Sequence, residues 1–189
     1  FHQQNSNVLI TFYRCSTDVL AAGLLSNEYD IIFTWDSTEL VKNDSIEYRL
    51  IERSPLMVAV YGSHPFAGRS SLRRTELHGE RLLFMTPSST GDSVSDLRFY
   101  EMYERAGYHP DIFFRSNDVE SILMMVSAEE GISIIPSYVT QKLTNADNLV
   151  FIPLIGEEEV VEIIAAWKKA SGNLALQQFL GHHPLLKAE

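Results

Sequence analysis

The sequence predicts an α/β protein with mainly parallel sheets, and three observations predict it. Short apolar runs of strand type, such as residues 30–35 (DIIFTW), 81–86 (RLLFMT) and 149–154 (LVFIPL), alternate with helical patterns along the chain. Residues 115–137 (RSNDVESILMMVSAEEGISIIPS) hold an amphipathic helix and a buried-type strand with only a short turn between them. Two long extended stretches, 46–65 and 149–167, carry polar interruptions, as expected of chain that passes between two α/β lobes and later returns. Two lobes joined by two crossings place a cleft at their junction, and small ligands bind in such clefts.

The elements follow in order. Residues 8–14 (VLITFYR) form a β-rich run and predict a strand. A short helix opens after it at Ser16 and Thr17, with Thr17, Leu20, Ala21 and Leu24 on one face. Residues 30–35 predict a second buried-type strand, and Pro55 marks a break or an edge in the long extended stretch. Residues 70–80 (SSLRRTELHGE) suggest a short polar helix, 81–86 a strand, and 87–92 (PSSTGD) a turn-rich loop. The helix after that loop carries Phe99, Met102, Tyr103 and Ala106 on one side, and residues 111–115 predict the next strand.

In the stretch that follows, Val119, Ile122, Leu123 and Val126 recur at i, i+3, i+4 and i+7 and make one buried helical stripe. Asn117 with Glu120 three residues on is a capping-box-like start, and Gly131 is suited to the left-handed conformation that ends a helix. The strand ISIIP is too short and too apolar to lie anywhere but in a sheet covered on both faces. Residues 160–167 (VVEIIAAW) form a returning strand. A last helix buries Leu176, Phe179 and Leu180.

Composition narrows the function. A chain of 189 residues with 45% hydrophobic content can bury a real core. A net charge of −10 argues against nucleic-acid binding by these residues themselves, since phosphate neutralisation needs clustered Lys and Arg. One cysteine, Cys15, excludes a disulfide within the chain and fits a reducing compartment. No run approaches the roughly 18 apolar residues of a membrane span. The chain opens mid-pattern with FHQQNSN and no initiator Met, as a piece of a longer protein would.

Three polar turns are candidate binding sites. Ser16 and Thr17 open a helix after a strand, Ser116 and Asn117 repeat the arrangement, and Ser88, Ser89 and Thr90 lie at a third helix start. Unpaired amides and the positive end of the helix dipole hold anions at such places, although plain capping also explains each one. The first two sit at the carboxyl ends of strands, where open α/β sheets bind ligands. Catalytic patterns are missing. The six His (2, 64, 78, 109, 182, 183) show no metal spacing, and neither GxSxG nor HExxH occurs. Cys15 suits a structural thiol better than a nucleophile. Asp30 and Asp36 flank one strand as solvated ends, and Trp35 is either core or a cleft wall.

Four stretches together resemble the effector-binding domain of LysR-type transcriptional regulators. LAAGLLSNEYDIIFT is similar to that family's strand entry, and SPLMVAVYGSHPFAGRSSLRRTELHGERLL to its L-x-L-V-x-x-x-HP region. FRSNDVESILMMVSAEEGISIIPS resembles its signature ending in G-x-GI-x-x-LP, and IAAWKK its returning strand. The chain is acidic at Glu129 and Glu130, where a glycine and a small residue are usual in the family.

The resemblance implies a two-lobed, type 2 periplasmic-binding-protein-like fold, with two crossover strands. Lobe I would take residues 1–57 and 157–189, with its family's first strand and most of its first helix upstream, and lobe II would take 58–156. It implies a small-molecule effector held in the cleft, no cofactor, no metal and no reaction on the ligand. It also implies a cytoplasmic homodimer or tetramer that meets DNA only through a winged helix-turn-helix outside this chain. Ser16 and Thr17 from lobe I and Ser116 and Asn117 from lobe II would hold an anionic group. Phe33, Thr34 and Trp35 would line the hinge side and Pro136 the floor of lobe II, with Ser88, Ser89 and Thr90 as second choice. The aromatic pair Phe33 and Trp35 favours a carboxylate on an apolar or aromatic body. The rival readings are a transporter's solute-binding protein of the same fold and a small α/β transferase.

Overall fold

In the computed structural model of the chain, the structure describes residues 1, 3, 5–35, 38–86, 94–140, 148–182 and 186, with Thr38, Glu39, Val94 and Ser95 described by backbone alone. The chain gathers into two compact units, Phe1–Arg53 with Glu162–Glu189, and Ser54–Val161.

The first unit contains α1 (Thr17–Ser26), β1 (Ile31–Trp35), α2 (Thr38–Val41), the start of β2 (Ile46–Tyr61), most of β7 (Val160–Lys168) and α6 (Leu174–His182). Leu24 of α1 packs with Ile32 of β1, Leu40, Ile46, Ile164 and Ala166, and Leu20 and Ala21 lie against that cluster. β1 runs antiparallel to β7, from Ile31 opposite Trp167 to Trp35 opposite Ile163. Behind them Trp167, Leu176 and Leu186 form a second small core with Ala165.

The second unit contains the rest of β2, a 3₁₀ turn (Arg74–Leu77), β3 (Arg81–Met85), α3 (Val94–Arg105), β4 (Asp111–Ser116), α4 (Val119–Ser127), β5 (Ser133–Pro136), α5 (Ser137–Thr140) and β6 (Leu149–Pro153). β3 and β4 pair in parallel, with Met85 opposite Ser116. Ile132 docks in parallel beside β3, donating its N–H to Arg81 O at 2.9 Å and accepting from Leu83 N at 2.8 Å. β2 runs antiparallel to both β5 and β6. All four residues of β5 are buried. Ile132 and Ile134 join one core with Leu82 and Phe84, while Ile135 joins another with Leu83, Ile122, Leu123 and Val126. The helical stripe and the strand covered on both faces are therefore both present.

Several local expectations are corrected. Residues 8–14 form no strand: Leu9 is 90% and Phe12 84% exposed, and no backbone hydrogen bond joins residues 9–14 to another described residue. A β-rich run becomes a strand only when a neighbour takes up its N–H and C=O groups. The sheets are less parallel than the alternation of elements suggests, with antiparallel registers at β1–β7, β2–β5 and β2–β6. Parallel pairing needs a crossover, as α3 supplies between β3 and β4, whereas the long strands β2 and β7 meet neighbours running against them. Pro55 does not break β2. The strand continues through it, and its pairing with β5 begins one residue later at Leu56.

The end of α4 is also built differently. Glu129, not Gly131, takes the left-handed conformation, with φ 64°. Gly131 serves a steric need, since a Cβ there would lie 2.5 Å from Arg81 O. That clearance is what lets β5 approach β3.

Two buried polar groups brace the second unit. Arg74 donates to Glu159 from Nε at 2.9 Å and from Nη2 at 2.6 Å, with its guanidinium 4.5 Å from the Tyr103 ring centroid. Burial pushes the Tyr108 hydroxyl up to about 12, and that hydroxyl donates to Arg74 O at 2.7 Å. His64 is buried between Tyr61 and Phe66, accepting from Phe66 N at Nδ1 and meeting Glu80 Oε2 through Nε2 at 3.3 Å.

The Gly131 approach gives a direct test. Gly131→Ala should lower unfolding stability by about 1–3 kcal/mol, the usual cost of forcing an atom into close-packed backbone, read from the urea midpoint. An unchanged midpoint would show that β5 can move away from β3 at no cost.

Candidate functional site

Within the second unit the strand directions bring several polar residues to one edge. β4, β3 and β5 lie side by side and run the same way, so their carboxyl ends share an edge. β4 ends at Ser116, β3 runs on into Thr86, and β5 ends at Pro136. Thr86 and Pro136 each stand four residues beyond the bridge that pairs Leu82 with Ile132. Open α/β sheets bind ligands at this edge because loops and helix starts converge there without closing over it.

Ser116 and Asn117 lie there as expected, but their capping role is changed. The N-cap of α4 is Asp118, whose carboxylate accepts from Ser121 N at 2.9 Å and Ser121 Oγ at 2.6 Å. Asn117 is exposed one residue earlier. Asp118 wins the cap because its shorter reach to Ser121 N gives a charge-assisted bond. Ser116 Oγ accepts from Asp118 N at 3.0 Å, and its own proton has no acceptor among the described residues. Beside it, the Arg115 guanidinium stacks over Phe84 and Tyr100 and donates to the Tyr100 hydroxyl.

Thr86 was not singled out from the sequence. It is buried, donates through Oγ1 to Asp96 Oδ1 at 2.6 Å, and donates its N–H to Ser116 O at 3.0 Å. Asp96 is fully buried in the first turn of α3. The helix starts of this unit thus carry carboxylates of their own. Ser88, Ser89 and Thr90 lie outside the described residues.

Pro136 is buried and faces Leu56 across the β2–β5 ladder. Next to it lies a second feature missed from the sequence. Ser54, on β2, is fully buried and meets Ser137 Oγ at 3.0 Å, while its oxygen accepts from Tyr138 N at 3.1 Å. A Ser following a strand-ending Pro was the available signal for Ser137. Its partner is 83 positions away, beyond any local pattern.

In the first unit α1 and β1 pack together and are joined by a short turn. Ser16 is the N-cap of α1 in extended conformation, with no side-chain cap hydrogen bond, and Thr17 is the first helical residue. Phe33 is 48% exposed, and Trp35, half-buried, points to the same face of β1 as strand alternation requires. Thr34 points the other way, and its Oγ1 is buried with no hydrogen-bond partner among the described residues. Cys15 is half-buried with Sγ 3.7 Å from Tyr29 Oη, a contact that pushes the Tyr29 hydroxyl up to about 12. The Tyr29 ring lies where a Cβ on Gly23 would stand. Asp36, which flanks this strand with Asp30 in the sequence, lies outside the described residues.

Among the described residues no three His, Cys, Asp or Glu side chains gather as metal ligands, and no helix is long and apolar enough to cross a membrane.

Comparison with known proteins sets this geometry in a family. The family model of the LysR substrate binding domain matches residues 1–183. The chain belongs to that family. It is a family of binding domains rather than of enzymes. The DNA-binding transcriptional dual regulator OxyR of Escherichia coli K12 is 29% identical over 159 residues, covering 83% of this chain and 49% of that protein. The HTH-type transcriptional regulator BudR of Raoultella terrigena is 24% identical over 180 residues, covering 95% of this chain and 60% of that one. The chain thus spans about half to three-fifths of these relatives' length. In structure, the effector-binding domain of a BenM variant superposes with a TM-score of 0.79 at 22% identity, covering 95% of this chain and 81% of that one. The BenM effector-binding domain with its effector benzoate gives 0.77 at 23% identity, covering 100% and 87%. The fold is therefore the mixed α/β, type 2 periplasmic-binding-like fold of LysR effector-binding domains.

Thr34 gives the test of this site. A buried hydroxyl without a partner costs about 1–3 kcal/mol. Thr34→Val removes that cost at constant shape, so the free protein should melt a few degrees higher in a thermal scan. If the hydroxyl serves an effector, the same variant should bind that effector about ten-fold more weakly. A variant that neither gains stability nor loses binding would show that the hydroxyl is tolerated for no purpose.

Proposed function

We propose that this chain is the effector-sensing domain of a LysR-type transcriptional regulator, taking a small anionic molecule with residues from both lobes. The match of the family model to residues 1–183 carries the reading. The effector-binding neighbour in complex with benzoate supports a carboxylate on an aromatic body, and the exposed Phe33 of β1 suits such a body. The lobe I contribution is Ser16, Thr17, Phe33, Thr34 and Trp35, and that of lobe II is Ser116, Asn117 and Pro136. Binding free energy that favours one conformation over another shifts the population, and the shift reaches DNA through a winged helix-turn-helix carried elsewhere in a cytoplasmic, oligomeric protein. The net charge of −10 supports leaving DNA contact to another domain. Several relatives are named as hydrogen-peroxide-inducible genes activators. A disulfide between two cysteines of this chain is excluded, since Cys15 is its only one.

The anion is held by hydroxyl donors rather than by bare helix ends, because Asp118 and Asp96 already supply negative charge there. That polarity makes the test two-sided. In the full-length protein, Ser116→Ala should weaken benzoate binding about ten-fold, the loss of one hydrogen bond to a charged group. Asp118→Asn keeps the cap and removes a like charge, so it should tighten benzoate binding a few-fold. Calorimetric titration reads both. Weaker benzoate binding by Asp118→Asn, or recognition of cationic amines in its place, would overturn the anionic assignment.

A further inference from the structure

Ser54 and Ser137 form a directed hydroxyl pair whose polarity is set by burial. Ser54 is 0% exposed, and its Oγ accepts from Tyr138 N at 3.1 Å. Among the described residues its own proton has one hydrogen-bond acceptor, Ser137 Oγ at 3.0 Å. Were Ser137 the donor instead, the Ser54 proton would be buried without an acceptor, the arrangement that folded proteins avoid. Ser54 therefore donates, and Ser137 Oγ accepts. Ser137 is half-buried, and its own proton has no acceptor among the described residues. Its position is immediately after Pro136, at the carboxyl end of β5 and on the edge that β3 and β4 share. Ser116 on that edge has the same polarity, accepting from Asp118 N and leaving its proton outward.

We infer that Ser137 is a specificity-determining contact of lobe II, a hydrogen-bond donor to an acceptor oxygen of the effector, and that Ser54 is the positioning residue that fixes its direction. The assignment rests on the effector-sensing reading above. A hydroxyl that is free to rotate serves donors and acceptors alike. One whose oxygen already accepts from a buried neighbour has its proton directed away from that neighbour and a single lone pair left, so it favours an acceptor. The class of ligand group favoured is therefore carboxylate or another acceptor oxygen, ahead of an ammonium or amide N–H.

The test titrates the full-length protein with benzoate, succinate and glutamate by calorimetry, for the parent and for Ser137→Ala and Ser137→Thr. Apo melting temperatures are measured alongside. The expected result is that Ser137→Ala weakens whichever of the three acids the parent binds by about ten-fold or more, with an apo melting temperature only a few degrees lower, as expected when the buried Ser54 proton loses its acceptor. Ser137→Thr, which keeps the donor, should restore binding to within about three-fold. An alanine variant that binds as the parent does would overturn the Ser137 assignment and leave the effector reading standing. Weakening accompanied by a large fall in apo melting temperature, and not restored by threonine, would assign Ser137 to packing and overturn it likewise. A parent that binds none of the three acids would overturn the anion-sensing reading, and this assignment with it.

Discussion

The second unit depends on one close approach. Gly131 passes Arg81 O so tightly that a Cβ would lie 2.5 Å from it. Because it fits, Ile132 can sit between Arg81 and Leu83 and exchange backbone hydrogen bonds with both. Ser133 then turns its hydroxyl onto Leu83 O at 2.7 Å, which satisfies a buried side chain on an otherwise apolar strand. Everything downstream follows from that docking. β5 is placed between two cores, Pro136 is brought against Leu56, and the carboxyl end of β5 joins those of β3 and β4. The shared edge is a consequence of backbone sterics at Gly131.

Charge gives that edge its character. Helix amino ends attract anions, yet Asp118 caps α4 and Asp96 is buried in the first turn of α3, with Thr86 donating to it. These carboxylates place negative charge at the helix starts, and Asp118 takes up the Ser121 N–H, so less is left there to draw in an anion. Under the effector-sensing reading proposed above, what remains for a ligand is a set of hydroxyl protons, at Ser116 and Ser137, directed by what their oxygens accept. Recognition by oriented neutral donors is weaker than recognition by a cation, and it is more selective for geometry. That combination suits a sensor, which must release its effector as concentrations fall.

What the sequence showed and what it hid follow from the range of the forces involved. The stripe Val119, Ile122, Leu123 and Val126 and the strand ISIIP were legible because periodicity and apolarity report burial locally, and all but the partly buried Val119 are in the core. The turn between them was misread. Two residues apart, Glu129 and Gly131 divide a conformational and a steric task, and only the fold shows which performs which. Residues 8–14 had the composition of a strand and lack the partner that would make one. Ser116 was singled out through its place after a strand. The Ser54–Ser137 pair and the Thr86–Asp96 bond join residues that only tertiary structure brings together.

Two buried polar atoms among the described residues have no hydrogen-bond partner, and they differ in what surrounds them. Arg74 Nη1 belongs to a guanidinium whose other nitrogens are paired with Glu159 and whose face rests on Tyr103, so its charge is compensated and the Nη1 amino group is the remainder. Thr34 Oγ1 belongs to a side chain with a single polar atom, and that atom is entirely unsatisfied. A valine would fill the same space at no such cost. Local rules are broken at functional sites more often than elsewhere, because a group kept ready for a ligand is, in the ligand's absence, a group without a partner. By that argument the Arg74 orphan is a by-product of a buried ion pair. The Thr34 orphan has no such ion pair to account for it, and under the reading proposed above it is a residue held for binding.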